Sequence, residues 1–311
     1  MSEACMPRRF DVTALGEAMV EFNQTHPGEP NYLQGFGGDT SNAAIAASRA
    51  GARTAYLTRL GQDTFGDALM QLWQREGVDT SAVERDATAP TGIYFVTHGA
   101  AGHEFTYRRA GSAASLMTPQ WLPRAVISDS KILHVSGISL AISHTARDTV
   151  FAAMDCARTS TTVVSLDSNL RLKLWPLDEA RTTLIKAIGL CNVFLPSLDD
   201  ITALTGECDP DAIIDWAHDA GASRVALKLG ADGALVSDGT SRERIAGWRV
   251  PLVDATGAGD CFCGNLLARL AEGDSIFQAA HYANAAAAIA VQGFGAVAPL
   301  PRASQVKELL G

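Results

Sequence analysis

The segment Asp254-Ala255-Thr256-Gly257-Ala258-Gly259-Asp260 sets two carboxylates around a glycine turn and runs into the helix-forming text Cys261-Phe262-Cys263-Gly264-Asn265-Leu266-Leu267. Glycine permits a tight backbone path, and the start of a helix presents unpaired N–H groups and the positive end of its dipole to one point. An anion fits there. Charge developing on a transferring phosphoryl group would be stabilised by the amides of Gly257, Ala258 and Gly259, and Asp260 at the edge of the turn is placed to accept the proton of an attacking hydroxyl. In isolation the same text also describes a glycine turn with Asp254 and Asp260 as helix caps.

A second group, Gly35-Phe36-Gly37-Gly38-Asp39-Thr40-Ser41-Asn42-Ala43-Ala44, offers glycines for close backbone approach and the polar side chains of Asp39 and Asn42. Alone it reads equally as a turn and a helix cap. A third, Ala226-Leu227-Lys228-Leu229-Gly230-Ala231-Asp232-Gly233-Ala234, is a strand–loop–strand with glycine-specific turn positions. No GxxxxGK[ST] occurs, which disfavours a Walker-type NTPase.

The elements that must hold these groups follow a β-then-α rhythm. Strand-like text lies at Val12 to Leu15, Thr54 to Leu57, Ile132 to Val135, Thr162 to Leu166, Val193 to Leu195, Val225 to Leu227 and Ala234 to Val236. Helix-like text lies at Ser41 to Ala50, Ala68 to Glu76, Ala146 to Arg158, Ala180 to Ile188, Ala212 to Ala220, Gly259 to Glu272 and Ser275 to Val291. That alternation predicts an α/β fold with a mostly parallel central sheet covered by helices on both faces. At 311 residues and 47% hydrophobic content the chain suits one large domain, 1–311. Two regions, about 18–36 and 91–110, break the rhythm. In the second, Ile93 to Val96 and Glu104 to Tyr107 flank Gly99-Ala100-Ala101-Gly102, a β-hairpin. Strands that cannot join a parallel sheet through a helix can form a small separate sheet, and this one is expected to be a lid over a polar ligand.

With 34 acidic against 25 basic residues and a formal charge of −9, nothing favours nucleic acid or an anionic membrane, and the expected partner is a small molecule. The six cysteines form no CxxC pair, which suits a reducing compartment, and are expected to be small buried side chains. Met1 to Arg9 leads into Phe10-Asp11-Val12 without a signal-like apolar core, and no apolar run reaches the length of a membrane span, so a cytoplasmic location is expected.

Asp254 to Asp260, together with the Gly37-Gly38…Asn42-Ala43-Ala44 block, resemble the two signatures of the ribokinase, or PfkB, family of carbohydrate kinases, with Ala255 where a threonine is usual. Ala50 to Arg53 and Leu60 to Gly66 extend the resemblance along the chain. It implies a ribokinase-like three-layer sandwich with a β lid, ATP and Mg²⁺ as cofactors, Asp260 as base, and Gly37, Gly38, Asp39 and Asn42 against the sugar. It also implies a nucleotide side formed by Lys228, Gly230, Gly233, Gly257, Gly259, Asn169, Ser197 and Asn284. The family's N-x-x-E motif is altered here, with Ser197 and Asp200 in its place. No metal cage is visible among His and Cys, and Mg²⁺ is expected to arrive with the charge of ATP. Tyr107 to Ser115, Thr91 to Tyr94, and Asp167 to Arg171 followed by Leu174-Trp175 resemble blocks of the family's 2-keto-3-deoxygluconate kinases. That likeness implies a sugar-acid substrate, with Arg109 and Arg171 answering its carboxylate and Tyr94 and Tyr107 adding hydrogen bonds. Arg108, next to Arg109 on a strand, should face the other way. A neutral sugar such as fructose or ribose, or a non-catalytic sugar sensor, are the alternatives, and a homodimer through the lid's strand edges is expected.

Overall fold

The computed structural model describes residues 8–99 and 102–311. Cys5, most of the Met1 to Arg9 segment and the hairpin residues Ala100 and Ala101 lie outside them. The central sheet has nine strands in the order Arg242–Ala246, Gly233–Ser237, Arg224–Lys228, Val193–Leu195, Val163–Asp167, Ser130–Ser136, Phe10–Leu15, Thr54–Leu57, Val78–Asp79. Pairing is parallel except at the first two, which join antiparallel at one edge.

Alternation along each strand divides the interior between two cores, because successive side chains leave a sheet on opposite faces. Val193 and Leu195 face one core and Phe194 the other; Ala226 faces the first, Val225 and Leu227 the second. The first core is completed by helices Asp39–Arg49, Ala258–Glu272 and Ile276–Ala290, the second by His144–Thr159, Leu177–Ile188 and Pro210–Asp219. The Ala-rich stretch of 283–291 is a buried helix, as its composition foretold. Helices Asp39–Arg49 and Ala258–Glu272 pack at very short range. A Cβ on Gly264 would lie 2.2 Å from the Ala43 carbonyl oxygen and 2.7 Å from the Ala46 Cβ. This contact matters because the two helices carry Asn42 and Asp260.

A second sheet of four strands, in the order Tyr32–Gly37, Met19–Gln24, Ile93–Gly99, Gly102–Arg108, stands apart from the first. Its hairpin pairs Tyr94 with Tyr107 and Phe95 with Thr106. Among the described residues no helix is long and apolar enough to cross a membrane. Cys156, Cys191, Cys261 and Cys263 are buried, while Cys208 is exposed, beside a helix start where no core covers it, contrary to the expected burial of every cysteine.

Arg49 ties the first of these helices to its surroundings, donating from Nε and Nη2 to Glu76 at 2.8 Å each and from Nη1 to the Leu300 carbonyl. Both side chains of the pair are only 11% exposed. Arg49→Met strands the Glu76 carboxylate, and the expected loss is about 2 kcal/mol of unfolding free energy in neutral urea melts, below the value of a fully enclosed pair. Hydrogen bonding to Arg49 holds Glu76 below the ordinary carboxylate range. Its contribution is therefore present above the unfolded pKa and fades as pH falls through the lowered folded value, so the two proteins' stabilities should converge in acid. A gap of constant size at every pH would contradict this account.

Candidate active site

The site lies where parallel strands end, at their carboxyl edge, the usual crevice of open α/β sheets. Gly38 caps the Asp39–Arg49 helix at φ 118°, where a Cβ would sit 2.5 Å from the Glu17 carbonyl, so glycine is required. Asp39 then accepts from the Thr40 amide and from Asn169 Nδ2, both at 2.8 Å. Asn169 has φ 26°, left-handed backbone that asparagine tolerates better than most residues. One turn beyond Asp39, Asn42 Nδ2 donates to Asp260 Oδ2 at 2.8 Å. The resemblance grouped Asn169 with the nucleotide; here its amide donates to Asp39.

Asp260 stands in the first turn of the Ala258–Glu272 helix, whose N-cap is Gly257 at φ 75°. Asp254 does not cap that helix; it accepts from the amide and hydroxyl of Thr256 and from the Gly295 amide, fixing the loop. The expected trio of phosphate-facing amides needs one correction. Ala258 N–H closes a turn onto the Ala255 carbonyl at 3.1 Å, so it is already engaged. Among the described residues the amides of Gly257, Gly259 and Asp260 itself have no protein acceptor, and these three form the anion-binding corner.

Burial, then Asp39, then Asp167 push Asp260 up to about 7, against the opposing pull of the Asn42 hydrogen bond and Lys228. The carboxylate is half-buried by surface yet ringed by protein, and the deep setting governs its electrostatics. Asp39 is also raised, by burial first, with Asp167 adding to it. Lys228 donates to Asp167 Oδ1 at 2.8 Å. Burial alone would discharge that lysine, but Asp167, Cys263 and Asp200 outweigh it and keep its ammonium. His134, buried on a neighbouring strand, is pushed down to about 4 and is neutral.

On the other side of the corner, Ser197 Oγ caps the Leu198–Thr205 helix by accepting from the Asp200 amide, and Ser168 Oγ donates to Asp200 Oδ2 at 2.7 Å. Gly233 has φ 92°, and a Cβ there would be 2.0 Å from the Ile245 carbonyl; Gly230, at φ 60°, opens the same turn. Asn284 donates to the Ala246 carbonyl at 2.8 Å. Among the described residues no three His, Cys, Asp or Glu are grouped to hold a metal ion.

The lid supplies the remaining candidates. Tyr94, on its inner face, donates to Glu21 Oε2 at 2.5 Å and lies so near Gly37 that a Cβ there would be 2.3 Å from its hydroxyl. Tyr107 stacks on Tyr94 with ring centroids 5.6 Å apart. Arg109 is ion-paired with buried Glu17, donating from Nε at 2.7 Å, while its Nη2, 2.5 Å from the same carboxylate, has no hydrogen-bond partner among the described residues. Ser112 donates to the other oxygen of Glu17. Arg171 is exposed, donates to the Leu170 carbonyl and acts electrostatically on Asp39. Arg108 ends the hairpin strand and is exposed, while Arg109, just past the strand, is mostly covered. Glu17, Asp167, Cys263 and the Asp260 amide were not singled out from the sequence. For Glu17 and Asp167 a signal existed, since each lies at or just past the carboxyl end of a parallel strand.

A parallel sheet between helix layers, a small sheet beside it and a glycine-built anion corner against a carboxylate define the ribokinase-like class. The chain belongs to the pfkB family of carbohydrate kinases, whose family model matches residues 9–303. It is therefore a sugar kinase, a phosphotransferase. The chain is 34% identical to a 2-dehydro-3-deoxygluconokinase of Bacillus subtilis (97% of this chain, 96% of that one) and 35% identical to one of Thermoproteus tenax (97% and 94%). It is 32% identical to fructokinase-2 of Solanum habrochaites (96% and 95%). Among solved structures, the fructokinase with bound ATP from Xylella fastidiosa superposes with a TM-score of 0.88 at 27% identity, covering 96% of this chain and 98% of that one.

The Asp260 carboxyl, pushed up to about 7, is half ionised there, so with Asp260 as the expected base sugar phosphorylation should climb along an acid limb near neutrality and level off beyond it. Initial rates at saturating substrates across a pH series read this directly. A flat profile through neutrality would remove Asp260 from the role.

Proposed function

We propose that this kinase transfers the γ-phosphoryl group of ATP to 2-keto-3-deoxygluconate, giving the 6-phosphate and ADP. The observation that carries the reaction is the meeting of Asp260, fixed through one oxygen by Asn42, with the open amides of Gly257, Gly259 and Asp260. Asp260 takes the proton of the attacking hydroxyl through its other oxygen as that hydroxyl bonds to phosphorus. The three amides and the Lys228 ammonium face the charge that moves onto the phosphoryl oxygens and the departing ADP. Lys228, Ser197, the Gly230 and Gly233 turn and Asn284 border the nucleotide. Mg²⁺ would neutralise the phosphates when bound and be held mainly by them and by water, since the described residues include no metal cluster. The lid sheet would exclude water as it closes on the sugar.

Support for the sugar acid comes from the two 2-dehydro-3-deoxygluconokinases among the relatives and from the exposed Arg171 beside Asp39. A carboxylate demands a cation, and Arg171 has guanidinium donors to give. Arg109 serves it indirectly, holding the lid's root through Glu17. Fructose is the second reading, favoured by the fructokinase relative and by the same cleft's fit to any small polyol. A sensor that binds without turnover is opposed by the retained base and anion corner. The lid's outer strands, with Leu33 69% exposed, support a two-fold dimer through this sheet.

Coupled ADP release with 2-keto-3-deoxygluconate, fructose and ribose tests the acceptor, and faster turnover of a neutral sugar would overturn the assignment. Asp260→Asn should lower kcat about 10²–10⁴-fold with nucleotide binding retained in calorimetry, and near-normal turnover would refute its role. Arg171→Leu should harm the sugar acid more than fructose, whereas Arg109→Leu, by freeing Glu17, should harm both. Equal losses in the Arg171 variant would remove it from carboxylate recognition.

A further inference from the structure

Asp167 ends the strand Val163–Asp167 and Lys228 ends Arg224–Lys228, with Val193–Leu195 between them. The two strand ends therefore stand about 9–10 Å apart at the usual interstrand spacing, a gap that a long side chain is needed to cross. Lys228 crosses it, and its ammonium meets Asp167 Oδ1 at 2.8 Å. The pair is well covered, with side chains 14% and 5% exposed. Cys263 touches both members, donating to Asp167 Oδ2 and accepting from Lys228 Nζ, each at 3.5 Å.

The lysine is thereby held at a particular place. A Cβ on Gly259 would lie 3.5 Å from Lys228 Nζ and 4.0 Å from its Cδ, so the ammonium and its stem lie beside the backbone of Gly259, a member of the corner. A lysine stem is otherwise flexible, and its charge acts at a defined point only when partners fix it. We infer that Asp167 is a positioning residue for phosphoryl transfer, which holds Lys228 as a fixed cation between the anion corner and Asp260. This rests on the reading of Asp260 as base and assigns Asp167 and Cys263 a task within it.

The charged and titratable groups facing Asp260 are Asp39 from the Asp39–Arg49 helix, Asp167 and Lys228 from the sheet, Tyr94 from the lid, and Cys261 and Cys263 from its own helix. Asp167 raises Asp260 and Lys228 lowers it. Removing each should therefore move the acid limb of kcat in opposite directions: to lower pH in Asp167→Asn and to higher pH in Lys228→Met. Rates are measured at saturating Mg-ATP with whichever of 2-keto-3-deoxygluconate and fructose is turned over faster. Lys228→Met is expected to lower kcat about a hundredfold, as loss of one donor to the developing charge does. Asp167→Asn is expected to cost about tenfold through misplacement of the lysine.

The decisive arm is the double variant. If Asp167 acts through Lys228, adding Asp167→Asn to Lys228→Met costs nothing more in kcat. A further loss in that background, or an acid limb unmoved in both single variants, overturns the inference. Replacing both buried charges together is also the change least harmful to folding. Should a single variant not fold, wild-type kcat in the double variant still overturns the inference, and a loss of about a hundredfold there, that expected for Lys228→Met alone, upholds it. Asp260→Asn is run alongside: an active Asp260 variant means the base assignment has failed, whereas an inactive one with unmoved limbs means that only the Asp167 assignment has.

Discussion

Three aspartates crowded at the ends of parallel strands repel one another, and the cleft is organised around that repulsion. Enclosed carboxylates tolerate ionisation only as far as donors compensate them. Asp39 receives an amide and the Asn169 side chain, Asp167 a lysine and a thiol. Among the described residues Asp260 receives one donor, Asn42, and is pushed up to about 7; Asp39 is raised as well, because burial outweighs its donors. A group whose folded pKa is raised stabilises the fold in acid, and that contribution is lost as pH rises through the folded value. The chemistry thus draws on an ionised form that the fold does not favour.

The scaffold bears this because the elements carrying the three groups are fixed independently. Asp167 and Lys228 are strand ends in a sheet buried on both faces, and Asp39 and Asp260 open helices packed onto that sheet. Neutral His134 beneath them adds no charge.

Much of the fold was legible because its signals are local. Apolar runs such as Val193 to Leu195 and Val225 to Leu227 are strands wherever they fall, and the glycine turn before Asp260 announces a helix start. Arg242–Ala246 went unread since an edge strand with charged residues facing water has little apolar text, and only Ile245 of its side chains enters the core. Leu198–Thr205 went unread because Pro196 to Asp200 was taken for a phosphate motif, although Ser197 is also a sound helix cap. In the site, residue types were readable and partners were not. Arg109, expected at a ligand, also pairs with Glu17, 92 residues away in sequence; Lys228 meets Asp167 across 61. Nothing local distinguishes an arginine waiting for a carboxylate from one that already has it. Ala258 is a smaller case, its amide withdrawn by a turn to Ala255 that only backbone geometry reveals.

The tight seam at Gly264 divides the molecule into a part that cannot drift and a part that can. With no room for even a methyl group between the helices of Asn42 and Asp260, the amide and the carboxylate stay in one register whatever else changes. Of the lid strands, Tyr32–Gly37 runs through Gly38 into the Asp39–Arg49 helix, and none carries a member of the aspartate cluster. Strands of the small sheet can therefore change without disturbing the Asn42–Asp260 contact, whereas Arg171, just past the central strand Val163–Asp167, belongs to the fixed part.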